Sequence, residues 1–193
     1  MDSAIGVLLG IGLSAACGFR VFLPLLVLSV AALSGAIPLA DEFVWIGSLP
    51  ALIVFGTAMV IEIAAYYIPW VDNLLDTIAT PLAVVAGIVA SASILTELDP
   101  VLRWSLAFIA GGGTAGLIQG STALLRLKSS ALTGGLGNFL VSTVELFGAL
   151  FLSLLAILVP IVAVTLVLVV LVTAYRLSRR LVFGRQATSS PHS

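Results

Sequence analysis

Charge is scarce in this sequence. Of its 193 residues only 9% are Asp, Glu, Lys or Arg, whereas a soluble domain carries about 25%. There is one cysteine, Cys17, so an intrachain disulfide is excluded and the redox compartment is not readable. The single histidine, His192, sits in a Ser/Pro tail, which excludes Ser-His-Asp and Cys-His catalysis and any zinc site built on histidines. Lys128 is the one lysine, and neither a Walker A nor a GxGxxG phosphate cradle is present. With a net charge of -1 there is no basic face for nucleic acid. These absences point away from an enzyme and from any cofactor.

What fills the chain is apolar: 61% of residues are hydrophobic and the mean hydropathy is +1.26. Such a chain cannot cover itself with water-compatible surface, and its partner is the lipid bilayer. A helical span needs about 20 residues. We read an all-α integral membrane protein, a bundle of six transmembrane helices forming one domain over residues 1–183. Residues 184–193 are expected as a disordered cytoplasmic tail. Met1-Asp2-Ser3 lacks the positive n-region of a secretory signal, so the first apolar run is expected to be a retained helix.

That run, Ala4 to Ala40, is too long for one straight span. Either a tilted helix ends near Leu33 or the chain breaks near Gly18 or Pro24. Further runs cover Leu49–Ile68, Pro81–Leu95 and Val101–Leu125. The last, Phe139–Tyr175, is long enough for two helices joined by a tight turn at Pro160. Arg126 and Lys128 follow the fourth run, and Arg176, Arg179, Arg180 and Arg185 follow the last. With six spans both clusters fall on one side, which the positive-inside rule makes cytoplasmic. This places the protein in an inner (plasma) membrane with both termini cytoplasmic, and Asp41-Glu42 and Glu97-Asp99 on the opposite face.

Between Pro69 and Thr80, Val71, Leu74, Leu75 and Ile78 share one helical face, with Asp72, Asn73 and Asp76 on the other. That pattern predicts a short interfacial amphipathic helix. Its two aspartates, at i and i+4, repel unless a cation or donor lies between them. They form either a solvated acidic face or a cation or proton site. Small residues recur every fourth position in Gly6/Gly10/Ser14/Gly18, Ala83/Gly87/Ser91 and Gly112/Gly116/Gly120. Such stripes let helix backbones approach closely. Internal bundle packing is the main reading, and homo-oligomer faces are the minor one.

Arg20, Glu62 and Glu145 are ionisable groups inside apolar runs, with Gln119 as a neutral companion. Ionisable groups in spans face a partner or a cavity. One reading pairs Arg20 with Glu62 or Glu145 to fix helix register. The other forms a polar cavity in the cytoplasmic half that handles a cation, a proton or a small solute. Carboxylates outnumber Arg20, which favours a cation or proton. Before the fifth span, Gly134, Gly135 and Gly137 with Asn138 predict non-helical backbone near the membrane. That backbone either offers neutral ligands or is an ordinary loop with Asn138 as N-cap. Gly135-Leu136-Gly137-Asn138 looks like an intramembrane aspartyl-protease signature with its aspartate replaced. Because a dyad needs two carboxyls, proteolysis is set aside. A weak internal repeat aligns Glu62 with Gln119 and Thr80-Pro81-Leu82 with Gly137-Asn138-Phe139.

Three stretches together carry a family resemblance. They are Ala16-Cys17-Gly18-Phe19-Arg20 with Phe22-Leu23-Pro24-Leu25; Glu62 through Pro69 with Val71-Asp72, Asp76 and Thr80-Pro81-Leu82; and Thr133-Gly134-Gly135-Leu136-Gly137-Asn138 with Ser142 and Glu145. The chain, apart from the tail after Arg180, resembles a bacterial family of small multi-pass membrane proteins catalogued as domain of unknown function 4126. The resemblance implies a membrane protein of unassigned activity. It marks motif residues and names no substrate. The residues themselves lead to a membrane transporter or channel, with a non-transporting scaffold or assembly partner as the rival.

Overall fold

The computed structural model describes residues 3–68, 71–134 and 137–183, with side chains at 72, 73, 174, 175 and 177–183 outside that set. The expected disordered tail at 184–193, Gly135 and the Asp72 side chain lie outside the described residues. Every regular element among the described residues is helical. In chain order these are α1 (Ser3–Phe19), α2 (Phe22–Leu33), a 3-10 turn (Asp41–Gly47), α3 (Leu49–Tyr66) and α4 (Val71–Ile94). They are followed by α5 (Pro100–Leu106), a π-helical segment (Ala107–Gly112), α6 (Gly113–Thr133), α7 (Asn138–Leu158) and α8 (Pro160–Phe183). Four helical stretches are long and apolar enough to cross a membrane: Leu49–Tyr66, Leu74–Ile94, Pro100–Thr133 and Asn138–Leu158. α1, α2 and the Pro160–Thr173 part of α8 are shorter apolar helices.

The first apolar run folds as a helical hairpin. α1 starts beside the C-terminal end of α4, where the Ser3 hydroxyl donates to Glu97 at 3.3 Å. It then descends along α4: Gly10 packs on Ser91, and the Ser14 hydroxyl donates to the Gly87 carbonyl at 2.7 Å. Gly18 meets Ala115 and Ile118 of α6. The helix breaks at Arg20–Val21, and α2 turns back. The Ser29 hydroxyl donates to the Ile46 carbonyl at 2.6 Å, and the Ala40 N–H donates to the Ser93 carbonyl at 2.8 Å. Both ends of the hairpin therefore lie at the C-terminal end of α4, and the tip at Arg20 points toward the other end of the bundle.

This geometry changes the expected topology. The first run enters and returns, so an even count of six crossings does not follow from it. Ser3 sits at the Glu97 end. α8 runs parallel to α1, with Ala163 against Gly12 and Val167 beside Phe19, and so heads for the Arg20 end of the bundle. The two ends of the described chain thus fall at opposite ends of the bundle, not on one face. The amphipathic segment is also not a separate interfacial helix. It forms the first turns of a continuous α4 with Pro81 inside. Pro81 has no N–H to donate, and the Thr80 hydroxyl donates to the Asp76 carbonyl at 2.9 Å just before it. The break before Pro160 is where the sequence places it.

Small residues hold α1 at the centre. A side chain at Gly18 would place its Cβ 2.6 Å from both the Ala115 carbonyl oxygen and the Ile118 Cβ. At Gly111, in the π segment, a Cβ would lie 2.7 Å from the Gly87 carbonyl. Of the stripe glycines, Gly10, Gly18, Gly87, Gly112 and Gly116 pack against other parts of the same chain, whereas nothing lies within 4 Å of a Cβ at Gly120.

Two predictions follow from this packing and topology. Gly18→Ala should lower the unfolding midpoint in detergent, by the equivalent of about 1–3 kcal/mol of overpacking. Gly120→Ala should be neutral or stabilising, since alanine is the better helix former by roughly 0.5–1 kcal/mol. In a Cys17→Ser background, single cysteines at Ser3 and Ala36 should react with an impermeant maleimide from the same face of the membrane, and one at Thr133 only from the opposite face. Labelling of Ser3 and Ala36 from different faces would refute the hairpin.

Candidate functional site

The hairpin tip is where the charges gather. A helix start leaves its first N–H groups without intrahelical partners, and α2 begins deep within the bundle. Glu62 of α3 supplies the missing acceptor. Its carboxylate takes the Val21 N–H at 2.9 Å and the Phe22 N–H at 3.1 Å. A negative charge at a helix N-terminus is also favoured by the helix dipole. Glu62 is buried, and no salt bridge joins it to a cation among the described residues.

Arg20, at the tip itself, donates from Nη2 to the Ser142 carbonyl at 2.8 Å and lies 3.9 Å from Glu145. Of the two partners left open by the sequence, Glu145 is the one it approaches. The stronger partner of Glu145 is Arg126 of α6. Its Nε and Nη2 reach the two carboxylate oxygens at 3.2 and 2.6 Å, and its Nη1 reaches Asp76 at 2.5 Å. Bidentate arginine–carboxylate pairs of this kind are both directional and strong. Both guanidiniums lie over the ring of Tyr66, with centroid distances of 4.1 Å for Arg20 and 4.3 Å for Arg126. A desolvated cation–π contact contributes about 2 kcal/mol. The Tyr66 hydroxyl reaches Asp76 at 3.4 Å.

Arg126 and Tyr66 are the residues that sequence reasoning missed. Arg126 reads there as a charge in a cytoplasmic loop, because the fourth run is taken to end at Leu125. In the structure α6 continues to Thr133, and Arg126 is 0% exposed. A signal was present. Gln119, Thr122 and Arg126 are spaced i, i+3, i+7, and Asn138, Ser142 and Glu145 are spaced i, i+4, i+7. Each set forms one helix face, and all six residues are buried.

The remaining candidates scatter around this centre. Gln119 is buried, and its amide nitrogen has no hydrogen-bond partner among the described residues. It lies farther from a helix end than expected, 14 residues before Thr133 (133 minus 119). Asn138 does not cap α7. It is the first residue of that helix, and its amide nitrogen donates to the Ser130 hydroxyl at 2.7 Å. The loop before it bends through Gly134 at φ +63°, and a Cβ at Gly137 would lie 2.3 Å from the Ser129 hydroxyl. These glycines serve a tight α6–α7 turn. Asp76 joins the cluster rather than a solvated face. At the opposite end of the bundle, Arg103 pairs with Glu42.

A cavity of about 380 Å³ opens beside the tip, between α3 and α4, and Glu62 is the one charged residue on its wall. No group of three or more His, Cys, Asp or Glu residues is placed to hold a metal ion among the described residues. A helical, apolar chain organised around a desolvated charge cluster is a membrane-embedded protein. The chain belongs to the family described as "Domain of unknown function (DUF4126)", whose pattern matches residues 7–180. No curated protein and no solved structure matches it.

Removing one partner from a buried ion pair costs about 3–5 kcal/mol, whereas replacing both by apolar residues is often neutral. Arg126→Met should therefore lower the unfolding midpoint sharply. Adding Glu145→Met should restore much of the loss. Additive losses in this double-mutant cycle would show that the two side chains are not coupled.

Proposed function

We propose that this protein moves a cation or proton across the membrane, using Glu62 as the binding group and the Arg20–Tyr66–Arg126 stack as a fixed counter-charge. The observation that carries this reading is the charge balance of the cluster. Two arginines face three carboxylates, Glu62, Asp76 and Glu145. Arg126 is taken up by Glu145 and Asp76, whereas Arg20 bonds the Ser142 carbonyl, lies 3.9 Å from Glu145, and keeps its Nε and Nη1 unpartnered among the described residues. Glu62 accepts two backbone N–H groups, forms no salt bridge among the described residues, and borders a cavity. Intramembrane carboxylates in such positions mark ion and proton pathways.

The end of the bundle that carries Lys128 and Arg176 faces the cytoplasm of a plasma membrane under the positive-inside rule. Ser3, Asp41 and Glu97 then lie on the other face. Crossings are made by α3, α4, the continuous α5–α6 helix, α7 and α8, and the α1–α2 hairpin is re-entrant. Glu62 thus sits in the cytoplasmic half, four residues from the end of α3.

One observation favours the rival, a scaffold or assembly partner. The Arg126–Glu145–Asp76 network closes on itself, as register-fixing pairs do. Flux separates the two readings. Purified protein in liposomes loaded with proton, sodium and potassium indicators should conduct one of these ions, and Glu62→Gln should reduce that flux at least about tenfold, the factor that corresponds to roughly 1.4 kcal/mol. Absence of flux for every ion from well-folded protein would overturn transport and leave the scaffold.

A further inference from the structure

The cavity beside Glu62 has walls that an inorganic ion would not choose. Apart from Glu62 it is lined by apolar side chains, among them Phe22 from the hairpin tip, Ala58 and Ala65 from α3, and Ile78 and Leu82 from α4. A hard metal cation takes six or more oxygen ligands or keeps its waters, and this cavity offers one carboxylate. Its volume of about 380 Å³ falls in the range of small organic ligands. Its rim is on the outer face of the bundle: Ile61 is 63% exposed, Ile78 54% and Leu82 41%. In a bilayer that face meets lipid tails, so the cavity is reached sideways from the hydrocarbon.

We infer that this cavity binds a lipophilic organic monocation, with Glu62 as its counter-ion and the apolar walls against its hydrophobic body. Charge complementarity selects the sign and the valence. With all five groups ionised, Arg20 and Arg126 against Glu62, Asp76 and Glu145 leave one negative charge over, and among the described residues Glu62 is the carboxylate of this cluster that forms no ion pair. Each of its oxygens accepts one backbone N–H, which leaves lone-pair capacity for a cation. Phe22 is among the wall residues, and aromatic rings attract ammonium and related cations. Ala58 and Ala65 keep the space open, because a larger residue at either position would fill it. This inference rests on the transport reading for its physiological role, but the pocket itself does not depend on it.

The test uses the full chain in lipid nanodiscs and two ions of nearly the same shape and opposite sign, tetraphenylphosphonium and tetraphenylborate. Equilibrium dialysis is corrected for partition into empty nanodiscs. Saturable binding is expected for tetraphenylphosphonium and not for tetraphenylborate. Glu62→Gln should weaken it at least about tenfold. Because that variant also alters the cap of α2, Ala58→Leu serves as a second probe. It leaves the carboxylate in place, fills the cavity and should weaken binding to the same degree. Equal binding of both ions, full-strength binding in either variant, or no saturable binding by folded wild-type protein would overturn the inference. Proton or sodium flux that depends on Glu62, without tetraphenylphosphonium binding, would refute this pocket and leave the transport reading intact. Binding that depends on Glu62, without flux of any ion including tetraphenylphosphonium, would uphold the pocket and overturn transport.

Discussion

The structure depends on one backbone break inside the bundle. At Arg20–Val21 the chain leaves one helix and starts another at a depth where water is not there to satisfy peptide groups. Non-helical backbone at such depth is tolerated only when protein surrounds it and takes its hydrogen bonds. The carboxylate of Glu62 does this for Val21 and Phe22. A carboxylate offers each of these N–H groups its own oxygen and also complements the dipole of α2. A charge is therefore built into the interior by the hairpin itself, and the rest of the site responds to it.

A buried carboxylate is costly unless positive charge lies near. Arg20 at the tip and Arg126 on α6 supply that charge, and each in turn requires acceptors. Glu145 and Asp76 meet the need of Arg126, and the Ser142 carbonyl meets part of that of Arg20. Tyr66 gives both guanidiniums a π contact. The cluster ties α3, α4, α6 and α7 to the tip of α1. It forms only if α1 can approach its neighbours closely. That is the role of Gly10 against Ser91 and of Gly18 against Ala115 and Ile118. Close packing and charge burial are thus coupled. A wider α1 would push Arg20 away from its partners.

Much of this was legible in the residues, and the rest fails for identifiable reasons. Composition alone gives an all-helical membrane protein, and the four-residue spacing of small side chains marks the surfaces that touch. Pro160 marks the α7–α8 break because the apolar run there is too long for one helix. The polar residues Arg20, Glu62, Glu145 and Asp76 stand out against their surroundings, and the structure brings them together. The hairpin was not legible in full. A run of apolar residues reads alike whether it crosses or turns back, and a break near Gly18 carries no sign of direction. Arg126 was missed because a charge just past an apolar stretch looks like a loop charge; only its i, i+7 relation to Gln119 shows the inward face. The apolar spacing over 71–78 reads as a helix, and α4 contains it. Its continuity with the span is hidden by Pro81, which usually ends a helix but here lies inside one.

The division of labour among the carboxylates is the step that joins fold to function. Glu145 and Asp76 are held by Arg126 through short, charge-assisted bonds, so releasing either would leave a guanidinium stranded in the interior. They are poor candidates for reversible binding for that reason. Glu62 is held by neutral donors, whose demand is met whether or not a cation also approaches. Under the transport role proposed above, this arrangement lets Glu62 take and release a cation without dismantling the network. It is also the carboxylate on the wall of the cavity between α3 and α4. The same side chain that lets the hairpin exist is thus the one whose charge stays available.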